Sequence, residues 1–431
     1  MNIVLYTLKA VAFALTNPYL VFFLVIISIF LYMQNKKTSA MQKMIIGEQI
    51  NSPFELTISQ LVMGIFGGVL SSIIMAYFGV TFYQNSAIEI LFLISVFLTV
   101  VNPRFICFSY SGAILGALSI INSLIASLYG TKEIQLFKFD IASLMTMIAV
   151  LHFVEGLLII TDGSRGTVPV FTKREDKIIG GFVMKRYWVV PIALFIILSG
   201  NYTLDMADTV PMPNWWPIIH TTIPLEILKK SIVMLIPFYG MLGYNSITFT
   251  KTKRAKVNSS GFLIIAYSIA LFVLAQLCYI SIIYKILVVL FAPIAHEGII
   301  YLQRYNELNE EPLYVSEEGI KVLEVAPYSP ADSMNIKSGD SLIGINDREI
   351  EKEEDILEMI KNTQGDMIFK IKKINGVIRE VTYGEAQRKN RLGIVFVPKY
   401  IPKDKVVVKV KEDNFSDVLN KIKNKDKDGD E

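Results

Sequence analysis

"FAPIAHEGIIYLQRYNELNEEP" occupies residues 291–312, and its reading divides the chain. Its first half closes a long apolar region, and its second half opens a polar one. His296-Glu297 is the kind of pair with which a zinc protease helix begins. Such a helix needs His-Glu-x-x-His, because imidazoles at i and i+4 share one face and hold zinc while the Glu polarises water. Here the residue four after His296 is Ile300. His152 and His220 are the other histidines, and no acidic ligand follows within a later apolar segment. The stretch therefore reads as the exit of the last membrane span, with Tyr301 and Arg304 at the interface. It assigns no catalytic or metal-binding residue.

Composition supports that division. Hydrophobic residues make up 52% of the chain and charged residues 19%, against about a quarter charged in ordinary soluble domains. The long apolar runs fall in residues 1–302 and ordinary soluble composition follows. The net charge of +3 is small, and no basic tract with interleaved aromatics points to nucleic acid. Cys107 and Cys278 lie far apart in apolar runs and read as buried free thiols. No phosphate loop, Gly-x-Ser-x-Gly elbow, Cys-x-x-Cys pair or dinucleotide fingerprint is present, so no cofactor is expected. Ala12-Phe13-Ala14 imitates a signal-peptidase site, but no basic segment precedes it. Residues 3–15 read instead as a half-membrane helix ended by Asn17-Pro18.

A spanning helix needs about 20 apolar residues. Runs near that size occur at 18–33, 60–80, 86–102, 106–129, 141–160, 187–204 and 227–248. A longer run at 261–302 would be about 60 Å long as one helix, and it is better read as a hairpin of two spans. The expectation is a polytopic domain of eight to nine spans plus the half-helix. The glycines of "MGIFGGVLSS" and "SGAILGALS" suit close packing. Basic clusters at Lys36-Lys37-Lys43, Lys173-Arg174-Lys177 with Lys185-Arg186, and Lys251-Lys253-Arg254-Lys256 mark the cytoplasmic side. Residues 201–225 hold no Lys or Arg, carry Trp215-Trp216, and face outward. The soluble region then lies in the cytoplasm; a single crossing by 261–302 would place it outside.

Beyond Pro312 the pattern changes to short strands. "GIKVLEVA" (319–326) alternates as a strand, and "SLIGINDREI" (341–350) reads as two strand pieces about Asn346-Asp347. "KEEDILEMIKN" (352–362) is an amphipathic helix with an acidic first turn. "MIFKIKKINGVIREVTY" (367–383) is a hairpin about Asn375-Gly376. The order strand, "V-x-x-x-S-P-A", short helix, "G-D" and "I-x-x-I-N" resembles a bacterial PDZ domain over residues 312–385. The fold class is thus a multi-span α-helical membrane domain followed by a small α+β PDZ domain, a partly open β-barrel capped by helices. The resemblance implies a peptide groove between the strand at 320–325 and the helix at 353–362, where an extended partner adds to a sheet edge. Its implied lining is Glu318, Gly319, Ile320, Val322, Ile356 and Met359, with Gly319 in a loop that catches a terminal carboxylate. A blocked groove and a purely structural domain is the other reading. Residues 386–412 read as a strand-like extension, and 413–431 as a disordered charged tail.

The whole layout, with "IAHEGIIYLQRYNELNEEPLYVSEEGIKVLEVAPYSPADS" at the junction and "LGIVFVP" downstream, is similar to the MinJ-like membrane proteins of Gram-positive bacteria. That resemblance implies a non-enzymatic adaptor of division-site selection, whose partners are the lipid bilayer, MinD-type proteins and DivIVA-type proteins. The competing reading is a membrane enzyme or transporter with a polar intramembrane site at His152 and Glu155. The sequence assigns no oligomeric state.

Overall fold

Asn17 and Pro18 break the first apolar stretch into two helices, α1 (Asn2–Thr16) and α2 (Pro18–Ile46). The Asn17 side chain accepts from the Tyr19 backbone N–H at 3.1 Å, and Pro18 fills the first helical position, where no N–H is needed. At 15 residues, α1 is about 22 Å long, short of a bilayer core of about 30 Å. The computed structural model describes residues 2–86, 88–101, 105, 107–174, 177–198, 212–219, 228, 231–350, 352–389 and 391–400. The chain divides into two compact units. The first holds Met1–Met41, Gln49–Val168 and Val183–Glu310; the second holds Gln42–Glu48, Pro169–Phe182 and Glu311–Glu431.

In the first unit, helices α3 (Pro53–Phe78), α4 (Ile90–Val101), α5 (Phe108–Tyr129), α6 (Ile141–Asp162), α7 (Lys253–Gln276) and α8 (Ile282–Asn309) follow α2. Side-chain caps start several of them, as the orphan N–H groups require: Ser52 accepts from Glu55 N at 3.0 Å and Asp140 from Ser143 N at 3.0 Å. Six helices (α2, α3, α5, α6, α7 with its following turn, and α8) are long and apolar enough to cross a membrane. With 12 residues, α4 is about 18 Å long, too short for the span expected at 86–102. The terminal hairpin is present as α7 and α8.

Two expected spans are strands. The segments at 187–204 and 227–248 fall on β3 (Lys177–Ile197) and β4 (Val233–Thr248), which pair with each other. Pro191 and Pro237 interrupt them, and a helix interior tolerates proline poorly. Pairing satisfies the backbone groups on the side the two strands share. A short strand, β1 (Thr81–Tyr83), adds in parallel to the end of β3, with Thr81 opposite Phe195. The basic residues 173–174 and 177–186, expected in a loop, lie in β2 (Val168–Arg174) and β3.

The glycines of α3 serve this arrangement. A Cβ on Gly64 would collide with the Val189 carbonyl, and one on Gly68 with that of Pro191. One turn further, Ser72 Oγ accepts the backbone N–H of Ala193 at 2.9 Å. Small residues thus let a helix lie directly on a strand. Helices α6 and α7 cross in the same way: a Cβ on Gly156 would stand 2.8 Å from the Gly261 carbonyl, and one on Gly261 2.7 Å from that of Gly156.

The second unit contains β5 (Tyr314–Val315), β6 (Ile320–Val325), α9 (Pro330–Ser333), β7 (Ser341–Ile345), β8 (Arg348–Glu349), α10 (Glu353–Asn362), β9 (Met367–Lys372), β10 (Ile378–Tyr383) and β11 (Ile394–Val397). Its main sheet runs β10-β9-β7-β6-β11 with β8 beside β7, and it does not close into a barrel. The expected hairpin is β9–β10, with Ile378 opposite Lys372 and Gly376 at φ +84 in its turn. Asn346 and Asp347, both at positive φ, turn the chain from β7 into β8. Ile356 of α10 joins Val322, Leu342, Phe369 and Phe396 in the core. Residues 401–412 of the expected extension and the tail at 413–431 lie outside the described residues.

Candidate functional site

The residues expected to line the groove divide into surface and core. Glu318 is exposed and makes an ion pair with Lys372; that hydrogen bond and charge hold its carboxyl below the usual range. Its neighbour Glu317 is likewise held low, by Lys177 at 2.8 Å. Gly319 has φ +68, and a Cβ there would collide with the Leu342 carbonyl. Only glycine fits, for a reason internal to the sheet. Ile320, Val322 and Ile356 are buried in the core, and Met359 packs half-buried against it.

The strand at 320–325 is not an edge. It pairs with β7 at Ile320 and Lys321 and with β11 from Lys321 to Val325. The loop before it is occupied as well: Ser316 Oγ accepts from Lys321 N at 2.9 Å and donates to the Val397 carbonyl at 2.5 Å. β6 thus has a strand neighbour on each side. Among the described residues the main sheet has two open edges, β10, which pairs only with β9, and β11, which pairs only with β6. Gly393 at φ +75 leads into it, and Leu392 and Ile394 are half-buried on the same core as Met359 and Ile360 of α10. The signal in the sequence was "LGIVFVP", read there as an extension of the sheet. Which edge it formed depended on pairings across some 70 residues.

In the first unit the structure assembles a polar cluster between helices. His152 of α6, His296 of α8 and Cys107, the cap of α5, bring one ligand atom each within 4.8 Å of one another. His152 Nε2 lies 2.9 Å from Cys107 Sγ and 3.1 Å from Ser109 Oγ. Its Nδ1 lies 2.7 Å from the Ile148 carbonyl. Tyr267 reaches Ser109 at 2.9 Å and donates to the Ala292 carbonyl at 2.8 Å. Tyr110 donates to Glu297 and lies 3.5 Å from Nδ1 of His296. Glu155 Oε2 stands 3.8 Å from His152 Nε2.

His296 is thus no exit residue. It sits midway along the 28-residue α8, buried against His152. The relation of His152 to Glu155, one helical turn apart, was legible in the sequence. The approach of Cys107 was not, because it comes from a separate helix start. Asp162 is buried at the end of α6, bound by Arg186 and by Trp188 Nε1 at 2.9 Å. His220 lies outside the described residues.

Six apolar helices followed by a sheet-rich unit define a polytopic membrane protein. No family model matches the chain, and no solved structure matches it. It is similar to the cell division topological determinant MinJ of Bacillus subtilis (strain 168), 24% identical over 263 residues, which cover 56% of this chain and 60% of the relative. Sequence similarity and membrane helices together fit a MinJ-like polytopic membrane protein.

Proposed function

We propose that the protein is a non-enzymatic membrane adaptor whose C-terminal unit, a PDZ-type domain, captures partner proteins at the cell-division site. The observation that carries this reading is the open side of β11, joined through α8 to a multi-pass membrane unit. A partner's extended segment would continue the sheet there by main-chain hydrogen bonds, while Met359, Ile360, Leu392 and Ile394 offer apolar contacts. Similarity to a division determinant supports MinD-type and DivIVA-type proteins as the partners.

Charge supports a cytoplasmic position for that domain. The starts of α3 and α7 and the ends of α6 and α8 share one end of the helical unit, as Arg165–Glu55 at 3.4 Å, Lys251–Glu310 at 3.6 Å and the bond from Arg254 to the Ile160 carbonyl at 3.1 Å together require. That end carries Arg165, Lys251, Lys253 and Arg254, and the chain leaves α8 from it. At the other end, Trp215 stacks on Tyr77, and Trp216 Nε1 donates to the Ala76 carbonyl at 2.8 Å. Cations inside and indoles at the opposite interface are the ordinary pattern.

The test is a crosslinking pull-down from cells carrying the full chain or a chain lacking residues 312–431. The truncated protein should stay in the membrane and lose division proteins from its crosslinked set; an unchanged set refutes the adaptor reading. The cluster at His152 favours a second reading, an intramembrane enzyme or relay. Alanine at both His152 and Glu155 would abolish function in that case, whereas a folded adaptor keeps it.

A further inference from the structure

We infer that Cys107, His152 and His296 form a zinc site that ties α5, α6 and α8 together. Three lines of geometry carry this. The donor set is one sulfur and two imidazoles, the ligand types zinc selects, and three protein ligands with a fourth position left for another oxygen are a common zinc arrangement. The three ligand atoms lie within 4.8 Å of one another. Ligands at about 2.0–2.3 Å from one tetrahedral ion stand roughly 3.3–3.8 Å apart, so small side-chain movements bring them to bonding distance.

The orientation of His152 is the second line. A carbonyl can only accept, so the 2.7 Å contact with Ile148 puts the ring proton on Nδ1. Nε2 then presents its lone pair to the cluster. A backbone carbonyl on the far nitrogen is the usual outer partner of a metal-bound histidine, fixing both tautomer and ring plane.

The third line is the surroundings of the sulfur. Cys107 is the N-cap of α5, and Ser109 N donates to its Sγ at 3.4 Å. That contact fixes the sulfur at the start of the helix, facing His152. Glu155 Oε2, 3.8 Å from His152 Nε2, offers an oxygen beside the fourth position. Divalent zinc, one thiolate and one carboxylate sum to zero charge, which a site between apolar helices demands. The ligands come from positions 107, 152 and 296, so the ion would crosslink helices that are distant in the chain.

The test uses the full-length protein, purified in detergent with any affinity tag removed, and its metal content by mass spectrometry. About one zinc per chain is expected, and Cys107→Ser or His296→Gln should lower it at least about fivefold. In the same preparation, zinc replaced by Co²⁺ should give a thiolate-to-cobalt charge-transfer band that C107S lacks. If the variants fail to fold, the wild-type cobalt spectrum alone decides. Wild-type protein without zinc and without that band overturns the proposal, as does zinc occupancy unchanged in well-folded variants.

Discussion

Arg186 of β3 donates from Nε to Oδ2 of Asp162, the last residue of α6, at 3.0 Å, with both side chains buried. The guanidinium also reaches Ser59 Oγ at 2.8 Å and the Leu56 carbonyl at 3.4 Å. Removing either partner leaves a buried charge without its counter-ion. Arg186→Met should cost about 3–5 kcal/mol of stability, whereas the double replacement Asp162→Leu with Arg186→Met should cost less than the sum of the singles. Thermal unfolding in detergent measures both.

Gly68 and Gly298 should respond in opposite senses to the same change. The Cβ of alanine at Gly68 meets the backbone of Pro191, while at Gly298 it meets nothing within 4 Å. Gly68→Ala should destabilise by about 1–3 kcal/mol. Gly298→Ala, inside α8, should be neutral or stabilise by up to about 1 kcal/mol. Equal melting shifts for the two would refute direct packing of α3 on β3.

The open side of β11 makes a prediction about binding. Ile394→Lys in β11 and Met359→Lys in α10 each introduce a charge at a half-buried position packed on the core of that unit. Each should weaken partner capture at least about tenfold, equivalent to about 1.4 kcal/mol, with the circular dichroism spectrum unchanged. Replacing exposed Leu357 should leave capture intact.

Topology can be read at Tyr328, which is fully exposed. A cysteine placed there should resist a membrane-impermeant maleimide in intact cells and react once the membrane is opened. Labelling in intact cells would put the domain outside.

Glu317 and Glu318 are held below the usual carboxyl range by Lys177 and Lys372. Their stabilising contribution is complete above an unfolded carboxyl value of about 4.3 and is lost as pH falls through the lowered range. Both groups are exposed, so the effect is small. NMR titration should show Glu318 ionising at a lower pH than in a Lys372→Met variant.

How far the sequence reaches is clear from particular segments. Asn17-Pro18 announces a helix break because both residues act on their immediate neighbours. Asn375-Gly376 announces a hairpin because the positive φ of its turn is a property of two residues. The six spanning helices follow from runs of apolar side chains. The segments at 187–204 and 227–248 are equally apolar, yet Lys177–Ile197 and Val233–Thr248 pair as strands. Hydropathy counts side chains, and the partner that satisfies the backbone lies elsewhere in the chain.

The same limit governs the sites. By itself the sequence determined an apolar helical region followed by a sheet-rich one, because composition and local turn chemistry act over a few residues. Tertiary structure alone decided that β6 is interior and β11 an edge, since pairing order is set by contacts far apart in sequence. It alone decided that His296 faces His152 and Cys107, since their meeting depends on how three separate helices rotate and pack.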